Sequence, residues 1–340
     1  MGTDPTPGVR PHPSAVLAPA TYTRRMSVAV EIDGQYRALR EEAGAAIRQR
    51  GVVVVGGQDA AEYLQGQLTN DIEALEPGQG TYSALLDRKG KMQADMRVLR
   101  TTEDVRMGVE PDTLAAVLRH LTMYAVGREV MVEDHSGELA LISIVGPASS
   151  GLTGLPPLGA ENDHAETKLD GIEALAIRTD TGLDLVVSTG DREDALAALA
   201  ARGVAGVTED ALEIIRVESG RPRYGREMTA ETIPQEAGIN ERAVSFTKGC
   251  YIGQETVARL HYKGKPNRHL RGLELSGVPE SGALVTLGER ELGRIGTAVH
   301  SPAFGPIGLA ILRREAEPGT DVTVEGGFDA KVVDLPFRID

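Results

Sequence analysis

The chain has 340 residues, more than one hydrophobic core usually serves, which predicts two or three packed units. Its apolar fraction of 41% and charged fraction of 25% are typical of folded proteins and exclude the disordered and fibrous classes. A formal net charge of -14 and the absence of Trp argue against nucleic-acid binding, because that role needs cations for phosphates and aromatic rings for bases.

The N-terminal segment is rich in proline. Residues 1–25 lack both the apolar core of a secretory signal and an amphipathic helix, so they are predicted to be a disordered leader. No apolar run approaches the length needed to cross a bilayer, which predicts a cytoplasmic protein with no membrane partner. The single cysteine, Cys250, cannot form an internal disulfide, and no spacing is typical of a metal site.

The body of the chain, residues 26–265, alternates strand-like and helix-like segments and is predicted to be an α+β unit. Gly, Pro and Ser mark residues 147–166 as a linker between two sub-domains. The predicted elements, in chain order, are strand 51–57, helix 59–72, hairpin 80–100 with its turn at 88–90, helix 110–127, two strands within 129–147, strands 171–180 and 182–190, and helices 191–203, 208–220 and 253–262.

The character of the sequence changes after Pro266. Short strand-like runs separated by Gly and Pro follow one another, which is typical of a small closed β-structure. A boundary near residue 266 and a C-terminal β-barrel over 266–340 are therefore predicted. The six runs are 268–277, 282–289, 294–301, 306–315, 321–327 and 329–337.

Asp95 lies on a predicted strand with strict alternation. The apolar residues Met92, Ala94, Met96 and Val98 share one face, so Asp95 points to the opposite side. From the pattern alone, a solvated outer face is the favoured interpretation for Asp95, and a functional carboxylate is the alternative.

Glu218 occupies the apolar stripe of the helix predicted over 208–220, at the i+7 position from Ala211. A buried carboxylate needs a partner, either an N–H donor on a ligand or an arginine such as Arg216 or Arg223. The alternative is that Glu218 lies at a frayed helix end before Gly220 and reaches water.

Cys250 precedes the stretch GQETVARLHY, which has good helix formers and an acidic residue near its start. The partial positive charge of a helix N-terminus and the nearby Lys248 both favour the thiolate form of Cys250. A buried free cysteine that serves as a small hydrophobic residue is the alternative, and local features leave both open.

A basic run follows this helix, with no acidic residue within it, although the chain is acidic overall. Such a run predicts contact with an anionic ligand or an acidic partner, and a solvated face is the alternative. Its members are Arg259, Lys263, Lys265, Arg268 and Arg271.

The stretch KGCYIGQE, continued by VARLHYKGKPNRHLRGL, resembles the signature of the YgfZ folate-binding family, which is associated with iron–sulfur cluster assembly and maintenance. Three further stretches, YLQGQLTNDI, LLDRKGKMQADMRVLR and IRVESGRPRYGREM, resemble segments that this family shares with the aminomethyltransferase (T-protein) of glycine cleavage. The motif residues are Lys248, Gly249, Cys250, Tyr251, Gly253, Gln254, Glu255 and Arg259.

The resemblance implies three domains in a ring around a folate channel, with a C-terminal β-barrel. It implies that Asp95 corresponds to an aspartate that acts at the reactive folate nitrogen, and Glu218 to a glutamate that holds the pterin. Arg216 and Tyr224 in the same segment are further candidate cofactor-binding residues. Where the T-protein has two adjacent acids, this chain has Ala94 before Asp95.

The T-protein has no thiol in the segment that corresponds to the cysteine motif, which implies changed or lost chemistry here. The main hypothesis is a tetrahydrofolate-binding protein that supports assembly or repair of iron–sulfur proteins, with client or assembly proteins as partners. Cys250 and Asp95 are its candidate catalytic residues. Two alternatives remain: a folate-dependent aminomethyltransferase, and a non-catalytic scaffold that binds a partner without folate.

Overall fold

The computed structural model describes residues 1, 20–149, 151 and 158–338. Of the predicted leader, residues 2–19 lie outside the described residues, and residues 20–25 begin a helix. The helices are α1 Ala20–Glu41, α2 Ala60–Gln67, α3 Pro111–Tyr124, α4 Arg192–Ala201, α5 Glu209–Glu218, α6 Asn240–Ala243 and α7 Gln254–Lys263. In the described ranges, every helix is too short or too polar to span a membrane.

The strands of the body form two sheets. A five-stranded sheet has the order β3-β4-β5-β2-β6, and a six-stranded sheet has the order β11-β1-β7-β10-β9-β8. The strands are β1 Gly44–Arg48, β2 Gly51–Gly56, β3 Gly80–Leu86, β4 Met92–Arg100, β5 Val105–Val109, β6 Met131–Asp134, β7 Leu139–Val145, β8 His164–Leu169, β9 Ile172–Arg178, β10 Gly182–Ser188 and β11 Ala205–Gly206.

The C-terminal strands close into a barrel in the order β12-β15-β14-β13-β16-β17, which confirms the predicted α+β fold with a terminal β-barrel. Apolar side chains such as Leu273, Val285 and Leu312 fill its interior. The strands are β12 Arg268–Leu275, β13 Leu284–Leu287, β14 Arg290–Ser301, β15 Gly305–Arg313, β16 Asp321–Val324 and β17 Phe328–Val333.

The predicted linker has a different place in the fold. Strand β7 before it and strands β8 to β10 after it lie in the same six-stranded sheet. The described part of residues 147–166 therefore connects strands of one sheet, and β8 begins within the predicted range at His164. Residues 150 and 152–157 lie outside the described residues.

Helix α2 ends at Gln67, earlier than predicted, because β3 and a distant lysine bind the backbone at its C-terminus. At Leu68 the backbone becomes extended (φ -108°, ψ 155°), and Leu68 forms a bridge to Leu85 of β3. The ammonium of Lys248 donates to the carbonyls of Gln65 and Leu68 at 2.6 and 2.7 Å. Terminal helix carbonyls lack intrahelical partners, so this lysine satisfies two of them from a distant part of the chain.

The turn between β3 and β4 packs against the start of α7. Gly253, the residue before α7, has a φ of +86°, and a Cβ there would lie 2.5 Å from the Asp87 carbonyl oxygen. Gly90 in the turn also has a positive φ, of +78°, and a Cβ on it would lie 2.9 Å from Thr256 Cβ. Both positions need glycine for conformation and for space.

We expect Gly253→Ala to lower the free energy of unfolding by roughly 1–3 kcal/mol or more, because alanine is strained at this φ and its methyl group collides with the backbone of the turn. The matched control is Gly137→Ala, where a Cβ has open space and the change should stay within about 0.5 kcal/mol. Urea unfolding followed by circular dichroism measures both. Equal stability of the two variants would show that the turn and α7 separate readily.

Candidate functional site

A cavity of about 300 Å³ lies between the two sheets of the body. Strands β4 and β5 line it from the five-stranded sheet, strands β1, β7, β9 and β10 line it from the six-stranded sheet, and helix α5 adds a third side. The apolar part of the lining includes Leu99, Leu175 and Ile177, which pack together. A concave site that mixes apolar walls with a few polar groups is typical of small-molecule binding.

Most of the carboxylates that line the cavity are paired with arginine. These pairs fix the side chains and neutralise charge in a partly buried space. They are Glu110 with Arg50 and Arg223 at 3.0 Å, Asp184 with Arg97 at 2.6 Å, Asp180 with Arg221 at 2.6 Å, and Glu161 with Arg242.

Asp95 is different, because among the described residues it has no ion pair. Tyr82 Oη donates to Asp95 Oδ2 at 2.6 Å, and Oδ1 is buried without a hydrogen-bond partner. Burial raises the pKa of Asp95, and the nearby Glu110 raises it further, against the hydrogen bond from Tyr82 and the charge of Arg50. Asp95 lines the cavity, so the interpretation as a solvated outer face is wrong: the second sheet covers that face.

Glu218 is buried, 2% exposed, as the helical stripe predicts. Its carboxylate receives Arg40 of α1 on Oε2 and Ser301 Oγ of the barrel on Oε1, the latter at 2.5 Å. The structure thus corrects the expected arginine partners, since Arg216 and Arg223 bind other acids. Glu218 is not among the described residues that line the cavity, and its contact with a pterin stays a prediction.

The two other candidate cofactor-binding residues have structural contacts. Arg216 lines the cavity, but its guanidinium binds Glu213 at 2.7 Å and Glu227 at 3.0 Å, and it donates to Thr297 of the barrel at 2.8 Å. Tyr224 Oη donates to the Met92 carbonyl at 3.3 Å, and Tyr224 is not among the described cavity-lining residues. Burial and the charge of Asp95 raise the pKa of Tyr224, so it lies in the electrostatic field of the site.

Cys250 is exposed on the loop between Lys248 and α7, so the alternative of a buried packing residue is wrong. The structure does not bring Cys250 and Asp95 together, because Cys250 is not among the described residues around the cavity. The ammonium of Lys248 points elsewhere: besides Gln65 and Leu68 it donates to the Asn70 carbonyl at 2.8 Å. The hydrogen bonds of this ammonium go to backbone carbonyls, and its effect on the thiol stays a prediction.

Lys248 itself has an unusual environment for a lysine. It is 9% exposed, and its ammonium lies 5.2 Å from the centre of the Tyr251 ring. Burial lowers the pKa of Lys248 to about 8, while the charges of Asp71 and Glu73 raise it. The first part of the cysteine motif is thus anchored in the body by a buried cation.

The remaining motif residues divide between packing and surface. Tyr251 is buried, and burial raises its pKa to about 12, whereas Gly249, Glu255 and Arg259 are exposed. Gln254 begins α7, which confirms the predicted helix, and its side chain reaches back to the Gly249 carbonyl at 3.5 Å.

The basic run does not act as one patch. Arg268 forms a two-point ion pair with Glu236, at 3.0 and 2.8 Å, and Arg271 donates to the Ala316 carbonyl at 3.1 Å. Arg259, Lys263 and Lys265 of this group are exposed, within α7 and just after it. Two arginines predicted to meet an anion therefore hold the barrel to the body and to its own turns.

Sequence reasoning missed several residues that line the cavity. Arg48 is the last residue of β1, Arg50 lies immediately before the run GVVVV, and Glu110 directly precedes α3. Their signal was local: charged residues at or next to the ends of strands, where an edge or a site is expected. Tyr82, at an alternating position of β3, gave no signal that separates it from a surface tyrosine. In the described residues, no group of three or more His, Cys, Asp or Glu side chains is arranged to hold a metal ion.

Two family profiles match the chain: the GCVT N-terminal domain over residues 14–248 and the glycine cleavage T-protein C-terminal barrel domain over residues 268–338. The chain belongs to the glycine cleavage T-protein family. Aminomethyltransferase from Rubrobacter xylanophilus is 30% identical over 322 residues, which cover 90% of this chain and 86% of that protein. Aminomethyltransferase from Thermus thermophilus is 30% identical over 338 residues, covering 94% and 92%.

The fold of this chain is similar to that of a solved structure. The crystal structure of glycine cleavage system aminomethyltransferase T from Bartonella henselae has a TM-score of 0.80 at 23% sequence identity, covering 90% of this chain and 89% of that chain. The implied aminomethyltransferase fold is therefore confirmed.

We expect Glu218→Ala to act on stability rather than on ligand binding. Losing the contacts to Arg40 and Ser301 should lower the free energy of unfolding by roughly 1–3 kcal/mol, since Arg40 is partly exposed and the pair is less costly to break than a fully buried one. Chemical unfolding measures the loss, and calorimetry with tetrahydrofolate measures affinity. A variant of native stability with more than tenfold weaker folate binding would instead assign Glu218 to the ligand.

Proposed function

We propose that this protein binds tetrahydrofolate, or a one-carbon derivative of it, in the cavity between the two sheets. We further propose that it carries out aminomethyl transfer there with Asp95 as the acid–base residue. The observation that carries the proposal is the state of Asp95, a cavity carboxylate that has no ion pair and one buried oxygen without a partner among the described residues. The similarity to proteins named aminomethyltransferase supports it.

The residues around the cavity fit a folate. Apolar walls from Leu99, Leu175 and Ile177 suit a flat ring system, and the carboxylates of Asp180 and Glu161 can accept hydrogen bonds from ring N–H groups. The unpartnered Oδ1 of Asp95 needs a donor, which a ligand nitrogen would supply. When bound, tetrahydrofolate supplies the nitrogen that takes up the one-carbon unit.

Asp95 and Tyr82 have distinct parts in the chemistry. Tyr82 donates to Oδ2, which leaves Oδ1 as the oxygen without a partner among the described residues. Asp95 would take a proton from a reacting nitrogen or return one to it. Because its pKa is raised, the carboxyl group holds a proton more readily than a surface aspartate, which suits a residue that must both accept and donate.

We expect Asp95→Asn to bind tetrahydrofolate within a few-fold of the wild-type affinity but to lower aminomethyl transfer by roughly 100-fold or more, the usual contribution of a general acid or base. The amide keeps the shape of the side chain and can still accept from Tyr82. Isothermal calorimetry measures binding, and release of ammonia from an aminomethyl donor with purified protein measures transfer.

Asp184→Asn is not a suitable control, because it breaks the pair with Arg97. A better control is Asp170→Asn, which should leave both quantities unchanged. Asp170 is an exposed residue between β8 and β9 that pairs with Arg202 and is not among the described residues that line the cavity. If the wild-type protein binds tetrahydrofolate but transfers no aminomethyl group from any donor, the proposed transferase activity is contradicted. The proposed folate-binding site would still stand.

A second function, supporting the assembly or repair of iron–sulfur proteins, is favoured by the exposed Cys250. The resemblance of KGCYIGQE to the YgfZ signature supports membership of that branch, which we propose here. The loop that presents the thiol is anchored on both sides, by the buried Lys248 before it and by Tyr251 and Gly253 after it. A fixed, exposed thiol can meet a partner protein without rearrangement. One thiol cannot hold a cluster that needs about four ligands, so Cys250 would act as a transient nucleophile or as one ligand of a shared site.

We expect Cys250→Ser to fold and bind tetrahydrofolate as the wild type does, because the side chain is exposed and outside the cavity lining. In cells lacking the protein, the variant should fail to restore the activity of iron–sulfur enzymes. Native wild-type protein should react with iodoacetamide at one site without denaturant.

The matched control is Thr247→Ser, an exposed change in the same loop, which should restore activity fully. Complementation by Cys250→Ser at the wild-type level would refute a role of the thiol in iron–sulfur maintenance. It would leave the transferase proposal standing.

A further inference from the structure

The arginines that line the cavity differ in their contacts. Seven of them donate to carboxylates within the part of the chain that the structure describes, whereas Arg48 donates no hydrogen bond there. A guanidinium has five N–H donors and no acceptor, so an arginine without partners inside a protein is unusual.

Arg48 is nevertheless largely buried. It is the last residue of β1, its side chain is 14% exposed, and its Nε is buried with no hydrogen-bond partner in the part of the chain that the structure describes. The nearest carboxylate oxygen, Oε1 of Glu209, lies 3.6 Å from Nε, beyond hydrogen-bond distance, on a side chain that is about half exposed. Burying these donors is costly unless another acceptor reaches them.

The neighbouring acid is already occupied by other arginines. Arg50 and Arg223 both bind Glu110, each through contacts of 3.0 Å to its two oxygens. Burial lowers the pKa of Arg50, and the positive charges of Arg48 and Arg223 lower it further, against the charge of Glu110. Arg48 thus lies near Arg50, which together with Arg223 surrounds Glu110. Among the described residues, Arg48 is the one of these three arginines whose side chain donates no hydrogen bond.

We propose that Arg48, beside Arg50 and Arg223, forms a carboxylate-binding subsite at one side of the cavity. A carboxylate bound there would accept two parallel hydrogen bonds from the planar guanidinium, the geometry that arginine favours. Because Arg50 lies near both Arg48 and Asp95, the subsite and the proposed reacting carboxyl group belong to one continuous cavity.

The carboxylate has two possible sources. One is the glutamyl tail of a folate, in which case the inference rests on the proposed function. The other is a separate small amino acid that serves as the one-carbon donor. Both present the same group to Arg48, so the experiment must distinguish a ligand with a tail from one without it.

Calorimetry should compare tetrahydrofolate with tetrahydropteroate, which lacks the glutamyl group, on wild type, Arg48→Gln and Arg48→Lys. If the tail is the source, Arg48→Gln weakens tetrahydrofolate binding by roughly tenfold to 100-fold and leaves tetrahydropteroate within about twofold. Arg48→Lys should fall between, because it keeps the charge but loses the two-point geometry. The matched control, Arg202→Gln, removes an arginine outside the cavity lining and should change neither affinity.

A thermal-shift series with glycine and acetate tests the second source. Stabilisation of the wild type by these carboxylates that is lost in Arg48→Gln, with both folates bound equally, assigns the subsite to a separate small acid. If Arg48→Gln changes neither the folate comparison nor the thermal shifts, the subsite is refuted.

Failure of the proposed function gives a different result. If the wild type binds no folate, the folate proposal fails, and the thermal shifts alone decide the subsite: stabilisation lost in Arg48→Gln supports it, and no stabilisation of the wild type overturns it. Melting curves of both variants without ligand verify folding. If Arg48→Gln does not fold, Arg48→Lys takes its place in every comparison.

Discussion

The ion pair between Arg97 and Asp184 joins the two sheets of the body, and the cavity depends on it. Arg97 projects from β4 of the five-stranded sheet, and Asp184 projects from β10 of the six-stranded sheet, with 2.6 Å between Nη1 and Oδ2. Arg97 also donates to Asn162 Oδ1 at 3.0 Å, so two of its nitrogens have partners in the facing sheet region. If the two sheets moved apart, this pair would separate and leave uncompensated charges in a partly buried place. Because that is costly, the pair resists a change in the spacing of the sheets.

Local sequence patterns predicted the architecture because most of it follows from periodicity. The alternation along β4 and the short runs of the barrel each bury one face, and the structure has both. Where distant groups meet, the patterns were insufficient. The end of α2 depends on the ammonium of Lys248, about 180 positions further along the chain. Strand β1 was missed because GAAIR is short and has little apolar surface of its own.

The site was less predictable for a related reason. A periodic sequence pattern shows which residues share one face of a strand or helix, but it does not show which part of the chain covers that face. The alternation along β4 predicts a surface position for Asp95, because it does not show that the second sheet covers this face. The helical stripe predicts that Glu218 is buried, but it does not predict that Arg40 is its partner. The cavity and the exposed thiol also occupy separate places. The proposed acid–base chemistry at Asp95 and the proposed thiol chemistry at Cys250 are therefore separable, because they use different places in the fold.

The contacts between body and barrel have a consequence for synthesis of the chain on the ribosome. Val217 of α5 packs against Ile307, Leu309 and Phe337, so the apolar surface at the end of this helix has no cover until the C-terminal strands emerge. The buried Glu218 likewise accepts from the hydroxyl of Ser301, which belongs to the barrel. During synthesis the apolar end of α5 therefore stays exposed until the barrel strands have been made. A chaperone that covers α5 during that interval would protect the nascent body from aggregation.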